Sequence, residues 1–233
     1  MIAPRSIDKL IEEQIRRWEA SRRRRPPELP PDPVIAVSRL PGCYGGSLAL
    51  ELARRLQFDF FDREILHQVA LNTHLSETIL RTLDDKDLPR ITECVEALFL
   101  GRYLSGDYFR CLSKVLMAIA AHGRAVILGR GASLILKPEC CVRVLLVAPF
   151  KERVRAVAAH EGVTRLEAQR RLVRSDSERR DFFQRHFHTE MLDPTHYDLV
   201  LNTADLGRDA ILAILQTAWE GKRAQARALA CAG

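Results

Sequence analysis

The sequence predicts an α/β fold: a five-stranded parallel sheet sandwiched by helices, with a helical insert, an arginine-rich lid and an N-terminal helical appendage. Three observations predict it. Short apolar runs rich in β-branched residues recur along the chain and read as strands buried on both faces. Segments of helical periodicity separate them, an alternation that belongs to parallel sheets covered by helices. The first run, Val34-Ile35-Ala36-Val37, feeds a turn holding Gly42, Gly45 and Gly46, and a helical stripe of Leu48, Leu50, Leu52, Ala53 and Leu56 follows.

That strand, glycine turn and helix form the segment around which the rest is organised. Glycines let backbone N–H groups point into one concavity, and the helix N-terminus adds roughly half a positive charge. A phosphate suits such a place. The P-loop pattern asks for Gly, four residues, then Gly-Lys-Ser/Thr. Started at Arg39, it puts Tyr44 at the second Gly, Gly45 at the Lys and Gly46 at the Ser/Thr. The turn therefore has the outline of a P-loop without its lysine. From the residues alone, phosphate binding and a ligand-free tight turn both remain open.

Composition narrows the classes. The chain has 233 residues, 47% hydrophobic and 28% charged, enough for one α/β domain with appendages. No apolar run is long enough to span a membrane. Residues 1–10 carry charges and lack the apolar core of a signal peptide. Cys43, Cys94, Cys111, Cys140, Cys141 and Cys231 show neither zinc spacing nor a disulfide framework, so no metal ligands are assigned and a cytoplasmic setting is expected. Formal net charge is +6, and arginine supplies most of the cation. Its planar fork suits phosphate oxygens. Nucleotide and nucleic acid are both anionic partners; nucleic acid is disfavoured because no helix-turn-helix, zinc or aromatic RNA-binding signature accompanies the charge.

In chain order, Ser6 to Arg25 reads as a helix with Ser6 as N-cap and an apolar stripe of Ile7, Leu10, Ile11, Ile15 and Trp18. Prolines 26, 27, 30, 31 and 33 then make a stiff connector. Residues 1–33 form an appendage that packs on its own domain, on a second copy as a homodimer, or on another protein. The run Arg22–Arg25 reads first as a solvated helix end. Phe58–Phe61 is a second strand, with Asp62 and Arg63 at its C-terminal end, where open α/β sheets place ligand groups. The region 76–123 is mostly helical, interrupted near Asp84–Asp87 and Pro89 and again at Leu104–Gly106; it is either a subdomain closing over a substrate or a packing layer.

Ala125–Leu128 is a third strand, followed by Gly129-Arg130-Gly131, which can aim one guanidinium into the crevice. Val142–Val147 is a fourth, Pro149 opens the next helix at its first position, and Gly162 ends it. Thr164-Arg165-Leu166-Glu167 is a capping box opening the densest arginine region: Arg165, Arg170, Arg171, Arg174, Arg179, Arg180 and Arg185, with Asp176, Glu178 and Asp181 interleaved. It is either a salt-bridged solvated helix or a lid, about 164–190, that brings guanidiniums onto phosphates. Phe182, Phe183 and Phe187 would pack its end. Asp198–Leu201 is the fifth strand, with Asn202-Thr203 at its end; a helix from Gly207 to Trp219 closes the domain at about 220, and 221–233 is a tail.

Four blocks together resemble the cytidylate kinase-like family, a branch of the P-loop nucleoside monophosphate kinases. They are Val37-Ser38-Arg39 with Gly42 and Gly45; Phe61–Leu66; Ile127–Gly131; and Asp176 through Arg179-Arg180 to Asp193-Pro194 and Tyr197–Thr203. The resemblance covers about 34–216. It implies ATP-dependent, Mg²⁺-assisted phosphoryl transfer to a pyrimidine nucleoside monophosphate such as CMP. By position, Ser38, Arg39, Gly42, Gly45, Gly46 and Ser47 would hold donor phosphates, and Asn202 and Thr203 would lie near the donor base. Asp62, Arg63, Arg130 and Arg174 would bind the acceptor, and Arg39, Arg130, Arg179 and Arg180 would act on the transferring group. Genuine cytidylate kinases carry the P-loop lysine where Gly45 stands and an acid where Leu128 stands; relatives in the kinase-like branch also tend to lack the lysine, with Arg following Ser at the strand end as in Ser38-Arg39, and usually have another Gly where Tyr44 stands. Ala148-Pro149 follow the fourth strand without an Asp to hold metal through water. The alternative is a non-catalytic nucleotide-binding or regulatory protein that keeps the fold.

Overall fold

The computed structural model describes residues 7–24, 29–83, 87–101 and 106–232. Strands Val34–Arg39 (β1), Asp59–Phe61 (β2), Ala125–Leu128 (β3), Cys141–Val147 (β4) and Leu199–Asn202 (β5) form one sheet in the order β2-β3-β1-β4-β5. Every pairing is parallel, with Ile35 facing Val126 on one side and Val142 on the other. Central position explains the sequence of β1: both faces are covered, so apolar residues need not alternate with polar ones. Val34, Ile35, Ala36 and Val37 are all essentially inaccessible.

Helices cover both faces. On one lie Gly45–Leu56 (α2) and Arg208–Ala232 (α10), whose Leu48, Leu52, Ile211, Leu215 and Trp219 pack on Ile35, Val37, Val126 and Val144. On the other lie Arg63–Leu71 (α3), Thr73–Leu80 (α4) and Asp107–His122 (α6), with Asp87–Gly101 (α5) against α6. Leu112, Val115, Leu116 and Ile119 of α6 are fully buried, so this part of the 76–123 region belongs to the packing layer of the sheet. Pro89 falls in the first turn of α5, where a missing N–H breaks no helical bond, and so it does not interrupt the helix.

Helix Ile7–Arg24 (α1) docks on its own domain: Ile11 and Trp18 are buried in the core, and Trp18 stacks on His122 at 4.2 Å. Gln14 and Trp18 both donate to Asp59 Oδ2, which fixes the helix to the sheet edge. The N-cap role of Ser6 and the side chains of Ile7, Leu10 and the Arg22–Arg25 run lie outside the described residues. Pro149 stands at the N-cap of Phe150–Glu161 (α8), one position earlier than its sequence assigned, and Gly162 ends that helix at φ 65. Thr164 Oγ1 accepts from the Glu167 N–H and opens Arg165–Phe187 (α9), a single helix of 23 residues. The closing helix α10 continues past Trp219 to Ala232. Its Ala- and Arg-rich end has no apolar stripe, but these are strong helix formers, and Arg227 pairs with Asp32 at 3.0 Å.

Among the described residues no helix is long and apolar enough to cross a membrane. The cysteines at 43, 94, 111, 140 and 141 are free thiols.

Candidate functional site

The C-terminal ends of β1 and β3 are neighbours, and each strand hands the chain to a glycine turn beside an arginine. Arg39 ends β1; Arg130 sits between Gly129 and the short helix Ala132–Ile135 (α7), held at φ 55, a left-handed conformation uncommon outside glycine. Arg63 opens α3 after β2, and Arg179 comes from α9. All four line one cavity of about 210 Å³ together with Ser38, Gly129, Gly131, Ser175, Glu178, Phe182, Phe183 and Met191. Such a volume is below the roughly 300–1,000 Å³ of a whole-ligand cleft, and it suits the phosphate end of a nucleotide with the rest outside.

The four cations are poorly compensated. Among the described residues none of them pairs with a carboxylate: Arg130 Nε donates to the Arg63 carbonyl at 3.3 Å, and Arg179 Nη1 to Ser175 Oγ at 2.8 Å. Burial pushes Arg39 down to about 10, with further lowering from Arg179, Arg63 and Arg130 and partial relief from Asp62. Burial, then Arg63, lowers Arg179 as well; Arg130 is lowered by burial and by Arg63, against Tyr108. Even the lowered Arg39 remains fully charged at neutral pH, so the fold holds like charges together at a cost. An anion removes that cost.

Arg39 is threaded between two glycines. A Cβ on Gly45 would lie 2.7 Å from Arg39 Cβ, and one on Gly129 would lie 2.5 Å from Arg39 Nη1. Position 45 is thus bare because the arginine stem lies over it. Gly45→Lys is therefore expected to weaken phosphate binding at least tenfold rather than restore it, and to cost about 1–3 kcal/mol of stability through overpacking. Calorimetry with ATP and a thermal melt check both.

The other sequence-predicted residues lie around this centre. Gly42, Gly45, Gly46 and Ser47 do not line the cavity; Gly42, at φ +82, lies against the Arg153 backbone, which a Cβ would approach to 2.8 Å. Ser47 Oγ donates to the Tyr44 carbonyl at 2.9 Å. Tyr44, at φ 54 the N-cap of α2, is 58% exposed and does not line the cavity. Asp62 Oδ1 accepts from the Glu64 and Ile65 N–H groups and caps α3. Asn202 accepts from Ala204 N and Thr203 Oγ1 donates to the Val147 carbonyl, both at the far end of β5. Arg174 is exposed and paired with Glu178 at 2.9 Å; Arg180 is exposed and outside the cavity.

Two arginines that the sequence did not single out support the site. Arg153 of α8, 6% exposed, grips Asp176 of α9 with both terminal nitrogens, at 3.0 and 2.8 Å, and donates to the Pro41 carbonyl at 3.5 Å. It therefore links the glycine turn to the helix carrying Arg179. Arg208, at the start of α10, donates to the Ser47 carbonyl at 3.1 Å and pairs with Glu51. No local pattern marks either one, since each partner is distant in sequence. The face of α9 that enters the cavity did leave a signal: Ser175, Glu178, Arg179, Phe182 and Phe183 follow helical i, i+3, i+4, i+7, i+8 spacing.

A second cavity, about 830 Å³, lies under α1 at the opposite end of the sheet, lined by residues including Trp18, Asp59, His122 and Arg124. Its lining mixes both signs, Asp32, Asp59 and Asp87 with Arg17, Arg54, Arg124 and Arg227, and Arg17 pairs with Asp59 and Arg227 with Asp32, so it holds no comparable excess of charge.

The model of the cytidylate kinase-like family matches residues 34–205, from the first residue of β1 to just past β5. The chain belongs to this family. Curated relatives of this cytidylate kinase-like chain include a cytidylate kinase of Thermococcus kodakarensis, 32% identical over 99 residues, which are 42% of this chain and 51% of that protein. Another, of Thermococcus sibiricus, is 33% identical over 93 residues, 40% of this chain and 48% of that protein. The matches span about half the length of these relatives. Among solved structures, an uncharacterized protein from Eubacterium ventriosum superposes with a TM-score of 0.57 at 16% identity, covering 82% of this chain and 99% of that one. That likeness is one of fold.

Family membership raises the question of magnesium, and the donor set here does not fit a protein-held ion. Mg²⁺ asks for carboxylate or hydroxyl oxygen beside the phosphates. Asp62 caps α3, Glu178 pairs with Arg174, Ser38 is bonded to Ser133 and the Ser47 hydroxyl to Tyr44.

Proposed function

We propose that this chain is an ATP-dependent phosphotransferase whose acceptor is a nucleoside monophosphate, a pyrimidine nucleotide such as CMP being the family's example. One observation carries this reading: Arg39, Arg63, Arg130 and Arg179, from four separate elements, converge on one small cavity at the strand ends without carboxylate partners among the described residues. In phosphoryl transfer the bond from the γ-phosphorus to ADP breaks as one to the acceptor phosphate oxygen forms. The protein's part is to align the two and neutralise charge on the oxygens, and a single arginine can be worth about 10³ or more in rate.

In this reading Arg39 and Arg179 bracket the transferring group, and Arg63 and Arg130 hold the acceptor phosphate. Gly42, Gly45, Gly46 and Ser47 shape the turn behind it, and Ser38 fixes the strand end through Ser133. Asn202 and Thr203 border the donor base, Asp62 orients the chain beneath Arg63, and Arg174 and Arg180 face the solvent side of α9. Purified protein incubated with ATP and a panel of nucleoside monophosphates, with magnesium and without, is expected to form ADP with at least one acceptor. The second reading, a non-catalytic nucleotide binder, is favoured by the loss of the lysine at Gly45. ATP binding by calorimetry with no ADP formed above the buffer rate under either condition would establish it instead.

A further inference from the structure

We propose that the arginine cavity selects phosphate groups free of magnesium, so that the metal competes with the protein for the ligand rather than assisting its binding. This rests on reading the cavity as the phosphate site. It departs from a site in which protein oxygens and phosphate share a bound ion.

The charges facing the cavity lead to this. Four guanidiniums line it, and Glu178, which also lines it, is engaged by Arg174. A phosphate monoester carries roughly two negative charges near neutral pH, and a diphosphate carries more. An unchelated phosphate beside Arg39 and Arg179 and another beside Arg63 and Arg130 therefore balance the four cations closely, and pyrophosphate brings both. Chelation by Mg²⁺ places a dication, with its ordered water shell, on oxygens that already face four cations. The oxygens that could offset this are bonded elsewhere: Ser38 to Ser133 at 3.1 Å, Ser175 to Arg179 at 2.8 Å. Gly45 and Gly129 lie hard against the stem and the guanidinium of Arg39, so the bare backbone at both positions is what admits this cation.

The geometry also explains the bare position 45. A lysine there would add a fifth cation but would need the space that the Arg39 stem fills. Arginine at the end of β1 takes over both the charge and the place. Guanidiniums carried by β1, α3, the β3 turn and α9 together supply the positive charge.

The test is calorimetric titration of the full chain with inorganic pyrophosphate and with ATP, in EDTA and in excess magnesium. Both ligands are expected to bind in EDTA and to weaken at least tenfold with magnesium. Arg39→Gln is expected to weaken pyrophosphate binding in EDTA at least tenfold. Arg155→Gln, the same change of charge at an exposed position paired with Glu152, should leave it unchanged. Binding that is equal or tighter in magnesium overturns this inference while leaving the phosphotransferase reading standing. An equal loss in both variants also overturns it, since the effect would then be one of overall charge. No binding in either buffer removes the phosphate site altogether, and both readings with it.

Discussion

Arg39→Met is expected to yield a protein that melts higher than the parent and binds pyrophosphate at least tenfold more weakly. The side chain is largely buried, has no hydrogen bond or ion pair among the described residues, and stands beside Arg179, Arg63 and Arg130. A charge kept in such a place works against the fold, and a shape-matched apolar replacement removes that cost. Since Arg39 is charged throughout the neutral range, the whole cost is present there. The gain should be on the order of 1–3 kcal/mol, an upward shift of several °C in a chain this long. Ligand binding moves the opposite way, because a charge-assisted contact worth about 1.5–3 kcal/mol is lost. Differential scanning calorimetry with and without pyrophosphate reads both effects. A lower melting temperature together with intact binding would show that Arg39 is structural.

Asp176→Ala is expected to have the largest effect on stability, a loss of about 3–5 kcal/mol, because it strands a buried cation. Arg153 is 6% exposed, its Nε already lacks a partner, and Asp176 satisfies both terminal nitrogens. Replacing both members, as Arg153→Met with Asp176→Leu, should recover most of the loss. Urea denaturation of the two single variants and the double variant measures the coupling. At temperatures where Asp176→Ala is still folded, pyrophosphate binding should also weaken, since the pair anchors the segment of α9 that carries Arg179. A single-variant loss under about 1 kcal/mol would mean that the pair is an ordinary surface bridge.

Much of this was legible in the chain itself. The β1–turn–α2 unit announced itself by periodicity, and the arginines at strand ends followed from where open α/β sheets put their ligands. Arg39, Arg63 and Arg130 each stand two residues beyond an apolar run, so local sequence places them at strand ends. Which arginine of α9 turns inward was harder. Arg174, Arg179 and Arg180 look alike as charges, and only the spacing of Arg179 with Phe182 and Phe183 puts it on the face packed toward the core. The Arg153–Asp176 pair could not be read, because it depends on how two helices cross. The steric reason for the bare position 45 is not in the local pattern either, because it lies in the Arg39 stem packed over Gly45. The helical end of α10 was hidden for a different reason: its stability comes from intrinsic propensity and a long-range ion pair to Asp32, neither of which leaves an apolar stripe.

The account stands or falls on where an anion sits. A crystal structure of the chain with pyrophosphate, grown in EDTA, tests this most directly. It should show phosphate oxygens within hydrogen-bonding distance, about 2.7–3.2 Å, of guanidinium nitrogens from Arg39, Arg130 and Arg179, with Arg63 closing the mouth. Pyrophosphate lying instead on the N–H groups of Gly45, Gly46 and Ser47, with those guanidiniums turned away, would contradict it.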